Sequence, residues 1–262
     1  MPNIRNPSVA GVFYPADPMI LATTIKDLLT GAPNFDIPAP KAIIAPHAGY
    51  IYSGPIAASI YKTLIPHKDS IRRVVLLGPA HRVAFDGIAV TQVNSFATPL
   101  GTIPVDEQSI NSILELPEVK VFEQAYNMEH CLEVQLPFLQ SILTNFTIVP
   151  CIVGNSQPLS VANVIQKLWG DEHTLIVVSS DLSHYFDYAT AQQLDAVTSV
   201  AIEQLEPDNI RNNQACGRLP IKGLLLAAKQ FNLQPRVLDV RNSGDTAGDR
   251  NRVVGYGAYH FV

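Results

Sequence analysis

Three histidines in this 262-residue sequence stand where strands of a sheet would end. His47 follows an apolar run that ends at Ala45. His81 and His184 stand in the same way just beyond two later apolar runs. Ligands of open α/β sheets bind beyond the carboxyl ends of the strands, so histidines at such places are expected to face one site. We therefore predict that these segments converge on a shared functional site.

A cysteine supplies a second kind of metal ligand. Cys216 precedes a predicted helix, and both a helix N-terminus and a bound cation lower the pKa of a thiol. Two imidazoles and one anionic ligand, with positions left open, form the metal site of non-haem iron oxygenases and of catalytic zinc proteins. The sequence therefore predicts that His47, His81 and Cys216 bind a metal. Taken singly, each has a plainer interpretation as a hydrogen-bonded structural histidine or a buried cysteine.

Two further clusters pair a carboxylate with an imidazole. Asp181 and His184 are three residues apart, so on a helical turn the carboxylate would orient the imidazole. Glu129 and His130, with Glu133 one turn on, form the second cluster. We predict that Asp181 and His184 act in acid–base catalysis with Glu129 and His130 beside them. The alternative for the second cluster is a helix start, where early acidic residues favour the helix dipole.

Several classes of protein are excluded by missing features. No Gly-x-Ser-x-Gly motif surrounds Ser179 and Ser180, and no dinucleotide-binding or phosphate-loop glycine pattern occurs. The formal net charge of −5, with scattered Lys and Arg, argues against a nucleic-acid partner. The 3 cysteines contain no Cys-x-x-Cys pair. Without a membrane-length apolar run or a signal peptide, we expect no membrane partner and a cytoplasmic location.

Short apolar runs alternate with helix-period segments through the whole chain. This pattern predicts one α/β domain over residues 1–262, with a mixed central sheet and helices on both faces. The last two strands, 236–240 and 253–262, are expected to pair antiparallel. We also predict a helix over 128–139, and a loop or hairpin over 96–105 that covers the rim of the site.

Seven ordered segments together resemble the Memo family, which is protein B of the AmmeMemoRadiSam set. The resemblance spans nearly the whole chain, and it implies the fold of class III extradiol dioxygenases, a single α/β domain of LigB-like architecture. The matching segments are 9–15, 45–50, 77–81, 129–133, 179–184, 216–221 and 244–256.

The resemblance also assigns roles within the site. Class III extradiol dioxygenases hold iron(II) with two histidines and a glutamate. The Memo pattern places histidines at His47 and His81, and Cys216 where the dioxygenases have the acid. It places His130 and His184 where the dioxygenases keep further active-site histidines. Iron(II) is therefore the expected cofactor, ahead of copper or zinc.

Two functions of different classes follow from the residues and the resemblance. One is a metal-dependent oxidoreductase that acts on an unidentified small molecule or peptide. The other is a non-catalytic binding module that uses the same pocket for a peptide or phosphopeptide, because the family has been described as binding phosphotyrosine-type peptides and as a metal-binding redox protein. The name of the set also implies a functional link to a radical-SAM protein.

Overall fold

A computed structural model describes residues 3–262 of the chain. The helices are α1 Pro18–Gly31, α2 Tyr50–Tyr61, α3 Glu107–Ile113, α4 Leu136–Ile142, α5 Pro158–Lys167, α6 Tyr188–Glu203 and α7 Arg218–Gln230. The strands are β1 Ile4–Arg5, β2 Ala42–Ala45, β3 Arg73–Pro79, β4 Ile88–Val90, β5 Ser95–Thr98, β6 Gly101–Pro104, β7 Val119–Val121, β8 Thr147–Val153, β9 Thr174–Ser179, β10 His184–Phe186, β11 Pro235–Asn242 and β12 Val253–Phe261.

The main sheet is built around four adjacent parallel strands. They lie in the order β2, β9, β3, β8, and every residue of β2 and β9 is buried. Continuous apolar runs of this kind are typical of strands that are covered on both faces. β12 pairs antiparallel with β2 and with β11, and β4 pairs antiparallel with β8. The predicted α/β class, the mixed sheet and the antiparallel pairing of the last two strands are confirmed.

Helices cover both faces of this sheet. On β12, the Tyr259 hydroxyl lies 2.8 Å from Ser199 Oγ of α6. Its neighbour Ala258 is paired with Asp239 of β11, whose carboxylate accepts a 2.7 Å hydrogen bond from Ser59 of α2. Paired residues point to the same face, whereas successive residues of one strand point to opposite faces. α6 and α2 therefore lie on opposite sides of the sheet.

The strand order brings three loops together at one edge. β9 lies between β2 and β3, and all three run in the same direction. His47, Asp181 and His81 each stand two residues beyond the carboxyl end of one of these strands. The three side chains consequently reach the same end of the sheet, as expected for a ligand site of an open α/β sheet.

The helix predicted over 128–139 is wrong in its first half. Only a short 3-10 turn, Glu133–Gln135, precedes α4 there. The carboxylate of Glu129 accepts hydrogen bonds from the backbone N–H groups of the two residues that follow it, at 2.9 and 3.1 Å. A side chain that binds neighbouring amides in this way competes with helix formation. Pro137 lies in the first turn of α4, where a missing N–H costs nothing.

The segment 96–105 forms a hairpin, as predicted, but not at the rim of the site. Its strands β5 and β6 join β1 in a separate three-stranded sheet. Within residues 3–262, the cleft that contains the histidines is lined by no residue of this hairpin. None of the helices in these residues has the length and apolar character that a membrane span requires.

Candidate metal centre

His47, His81 and Cys216 meet at the carboxyl edge of the sheet. One ligand atom from each lies within 4.8 Å of the other two. His47 Nε2 is 3.2 Å from Cys216 Sγ, and the rings of His47 and His81 are edge to face with centroids 5.1 Å apart. The structure thus places the three expected ligands close enough for one ion, from three loops that are far apart in sequence.

His47 is buried and held at both its backbone and its ring. Its backbone N–H donates to Asp181 Oδ1 at 2.7 Å, and its Nδ1 is 2.9 Å from Ser179 Oγ. Burial, together with the neighbouring His81, lowers the pKa of His47 well below its usual value. A neutral imidazole keeps one nitrogen lone pair, which a metal requires of a histidine ligand.

His81 is oriented by a buried carboxylate. Glu129 Oε2 accepts the backbone N–H of His81 at 2.6 Å, and Glu129 Oε1 lies 2.9 Å from His81 Nδ1. Burial alone would raise the pKa of Glu129, but the hydrogen bonds from His81 and from nearby amides outweigh it and hold the pKa at about 2. An ionised carboxylate only accepts, so in the neutral form of His81 the proton lies on Nδ1 and the lone pair on Nε2. This is the carboxylate–histidine arrangement that commonly supports a metal ligand.

His130 stacks on His81 and on Phe13. The ring centroids lie 4.9 Å from His81 and 4.6 Å from Phe13. His130 Nδ1 is buried with no hydrogen-bond partner among the described residues. Burial, with the nearby His47, lowers the pKa of His130 to about 4, so the ring is neutral near physiological pH.

A second possible ligand group, made of His81, Glu129 and His130, also lies within reach of one ion. Its carboxylate is already engaged, because Glu129 Oε1 faces His81 Nδ1 and two backbone N–H groups. We therefore interpret Glu129 as the partner that orients His81 rather than as a ligand.

The helical turn predicted for Asp181 and His184 is wrong. The residues between them belong to neither a helix nor a strand, and His184 opens β10. Two bonds hold this backbone: Leu182 N–H donates to Gly255 O of β12, and Ser183 N–H donates to Asp195 Oδ1 of α6, at 2.8 and 3.0 Å. These N–H groups are consequently bound to distant segments instead of along a helix.

Asp181 and His184 take separate partners as a result. Asp181 binds the backbone N–H of His47, and its Oδ2 lies 4.0 Å from His47 Nε2. Burial raises the pKa of Asp181 above its usual value, although the neighbouring His184 opposes this. His184 Nδ1 lies 2.8 Å from the carbonyl oxygen of Leu182. A carbonyl only accepts, so in the neutral form of His184 the proton lies on Nδ1 and the lone pair on Nε2.

Comparison with known proteins identifies the family of this chain. The family model described as "Memo-like protein" matches residues 5–260. The chain belongs to the Memo family. Proteins named "MEMO1 family protein" are similar along almost their whole length: one from Aquifex aeolicus is 38% identical over 97% of each chain. One from Sulfolobus acidocaldarius is 35% identical over 98% of this chain and 99% of the relative, and one from Nitrosopumilus maritimus is 33% identical over 99% and 100%.

The site of this Memo family chain opens into a cleft of about 600 Å³. Its floor carries all four histidines of the site and Asp181. Its walls and mouth combine aromatic and charged side chains: Phe13, Tyr52, Arg82, Tyr185, Asp249, Arg252 and Tyr256. The guanidinium carbon of Arg252 lies 4.5 Å from the centroid of the Tyr185 ring. A cleft of this kind accommodates a small molecule or one extended side chain.

Sequence reasoning missed part of the Memo family site. Ser179, Gln135 and Phe13 contact the site histidines or one another; the sequence raised Ser179 only as a nucleophile, and Gln135 and Phe13 are not of residue types that signal catalysis. Ser179 is the last residue of β9, and its place at a strand end was the available signal. Phe13 belongs to the segment 9–15, which carried the family resemblance without an assigned role.

Proposed function

We propose that this protein binds one transition-metal ion through His47, His81 and Cys216 and acts as a metal-dependent oxidoreductase. Iron(II) is the metal we expect, with copper or zinc as alternatives. One observation carries the proposal: two imidazoles and a thiol from three separate loops lie within 4.8 Å of one another, and both imidazoles line the cleft. Sets of two histidines and one anionic ligand suit these metals.

The residues fit such an ion chemically. Burial and the nearby Asp181 raise the pKa of the Cys216 thiol, so the thiol keeps its proton in the metal-free protein. The facing lone pair of His47 Nε2, 3.2 Å away, accepts that proton as a hydrogen bond. Both atoms would hold a metal ion only after the thiol has lost this proton, because thiolate is the ligating form. Binding should therefore release a proton.

The remaining polar groups of the cleft supply proton-transfer and orienting functions. When bound, the ion supplies a Lewis acid and, if it is iron or copper, a redox centre. His184 Nε2 keeps a free lone pair, so it can take a proton from a substrate hydroxyl. His130 offers a second neutral ring nearby, and Asp181 fixes the backbone that presents His47. Phe13 lines the cleft beside His130.

The proposal extends to the architecture of class III extradiol dioxygenases. The mixed sheet, with its ligand residues beyond the ends of parallel strands, supports this extension. The thiol of Cys216 departs from the carboxylate of those enzymes, and it favours softer metals. Ring cleavage is therefore not part of the proposal.

The alternative is a non-catalytic module that binds a peptide or phosphopeptide in the same cleft. One observation favours it: Arg82 and Arg252 line the cleft and are both exposed, so their guanidinium groups are open to a ligand. Guanidinium groups bind carboxylates and phosphates in bidentate geometry.

Metal content of matched cysteine variants tests the proposal. We expect the wild-type protein, purified under anaerobic and reducing conditions and given one equivalent of iron(II), to retain about one ion per chain. Cys216→Ala should lose it, because the anionic ligand is gone. Cys151→Ala is the matched control, since Cys151 is buried in β8 away from the cleft, and it should retain the ion.

Two results would contradict the proposal. A wild-type protein without stoichiometric metal would favour the binding module. A Cys216→Ala protein that keeps as much metal as Cys151→Ala would show that the thiol is not a ligand.

A further inference from the structure

A chain of buried polar side chains lies behind His47. The Tyr61 hydroxyl donates to Gln135 Oε1 at 2.7 Å, Gln135 Nε2 donates to Ser179 Oγ at 2.8 Å, and Ser179 Oγ lies 2.9 Å from His47 Nδ1. All four residues are at most 1% exposed. In such a buried chain each donor and each acceptor must find a protein partner, so the position of every proton can be worked out.

The orientation of the Gln135 amide is fixed by two neighbours. Its nitrogen lies 2.9 Å from the carbonyl oxygen of Pro46, which can only accept. The amide oxygen must therefore face Tyr61, and burial raises the pKa of Tyr61 so that its hydroxyl stays protonated and donates. The opposite orientation would set two oxygen acceptors against each other at Pro46. Gln135 consequently presents an N–H to Ser179.

The single proton of the Ser179 hydroxyl is already committed. Ser179 Oγ lies 2.6 Å from the carbonyl oxygen of Cys131, another group that only accepts. The two lone pairs of Ser179 then accept one N–H from Gln135 and one from His47. His47 must therefore carry its proton on Nδ1. Its Nε2 keeps the lone pair and faces Cys216 Sγ.

We propose that Ser179, held by Gln135 and Tyr61, is a positioning residue that locks His47 in the tautomer able to bind a metal. This inference rests on the proposed function. Neutral imidazole has two tautomers. Only the tautomer without a proton on Nε2 can bind a metal through Nε2, the nitrogen of His47 that faces Cys216. Without an acceptor beside Nδ1, the tautomer with its proton on Nε2 becomes accessible, and its Nε2–H group would donate to Cys216 Sγ.

The group that fixes the tautomer of His47 is neutral, whereas the group that fixes the tautomer of His81 is charged. Behind His81 the acceptor is the ionised Glu129, whereas behind His47 it is the neutral hydroxyl of Ser179. Asp181 already places a buried carboxylate beside His47. A further buried negative charge there would carry a large desolvation cost, which a hydroxyl avoids. The neutral chain thus fixes the tautomer without adding charge.

Nitrogen-15 NMR of histidine-labelled, metal-free protein reads the tautomer directly. We expect His47 in the wild-type protein to be protonated at Nδ1 and bare at Nε2. Ser179→Ala should shift the His47 ring toward the Nε2-protonated tautomer. Ser179→Thr keeps the hydroxyl and should keep the wild-type tautomer. Ser59→Ala, which removes an equally buried serine hydroxyl from α2, is the matched control and should leave His47 unchanged.

Zinc affinity, measured by competition with a chelator, supplies the second readout. We expect Ser179→Ala to bind zinc about 10- to 100-fold more weakly, the usual effect of removing a partner that orients a histidine ligand. Ser59→Ala should bind as the wild type does.

The outcomes separate this inference from the proposed function. A wild-type His47 that is protonated at Nε2 overturns the inference even if no Ser179 variant folds. A folded Ser179→Ala protein with unchanged tautomer and zinc affinity overturns the role of Ser179 and leaves the proposed function standing. A wild-type protein that binds no zinc, iron or copper overturns the proposed function and, with it, this role.

Discussion

At the level of single residues, Glu129 makes the site sensitive to acid. Its pKa of about 2 lies below the ordinary value of 4.5, because it accepts hydrogen bonds from His81 and from nearby amides. A carboxyl whose pKa is lowered by folding contributes stability above its unfolded pKa, and this contribution is lost as the pH falls toward the folded pKa. The shift corresponds to about 3 kcal/mol.

Glu129→Gln should therefore be less stable than the wild type at neutral pH. In urea unfolding of the metal-free proteins, we expect this deficit to shrink by about 3 kcal/mol between pH 5 and pH 2, because only the wild type loses the ionised carboxylate. Glu172→Gln, at an exposed glutamate, should follow the wild type at every pH. A deficit that stays constant with pH would show that folding does not lower the pKa of Glu129.

Glu129→Gln should also weaken zinc binding at neutral pH. The amide cannot accept all the N–H groups that the carboxylate accepts, so His81 loses its fixed orientation. We expect a loss of about 10- to 100-fold in zinc affinity, measured by chelator competition. Unchanged zinc affinity in a folded variant would mean that Glu129 binds backbone N–H groups but is not needed to orient the His81 ring.

At the level of elements, α6 holds the loop that carries Asp181 and His184. Asp195 of α6 accepts the backbone N–H of Ser183 between them. Burial raises the pKa of Asp195 to about 6, and the hydrogen bond from Ser183 offsets only part of this. A carboxyl whose pKa is raised by folding lowers the stability of the fold as the pH rises from its unfolded pKa to its folded pKa.

Asp195→Asn should remove this pH-dependent loss of stability. The asparagine oxygen can still accept the N–H of Ser183, and the side chain carries no charge. Relative to the wild type, we expect the variant to gain about 3 kcal/mol in the free energy of unfolding between pH 4 and pH 8. Denaturant unfolding at several pH values measures this. A difference that does not change with pH would show that folding does not raise the pKa of Asp195.

Some elements could be predicted from the sequence and others could not. Strands in the parallel core are continuous apolar runs, so their ends, and the histidines beyond them, could be located from the sequence. The loop around Glu129 could not, because its backbone is organised by a carboxylate that binds local amides and His81 from a distant segment. The non-helical backbone of 181–184 likewise depends on bonds to Gly255 and Asp195.

At the level of the whole molecule, long-range pairing decides which loops meet. The α/β class followed from the alternation of runs and helices. The placement of β9 between β2 and β3, which brings His47, Asp181 and His81 to one edge, is a result of strand order that local patterns do not encode. The convergence of Cys216 with the histidines was expected from residue type and family resemblance. The supporting residue Ser179 became visible only when distances were known.

Metal binding is tested most directly by X-ray absorption at the zinc edge, on protein loaded with one equivalent of zinc. We predict a first shell with one sulfur at about 2.3 Å and nitrogen ligands at about 2.0–2.1 Å. The sulfur should be absent from the first shell of Cys216→Ala and present in that of Cys151→Ala. A wild-type shell of nitrogen and oxygen alone, or a sulfur that persists in Cys216→Ala, would contradict a centre made of His47, His81 and Cys216.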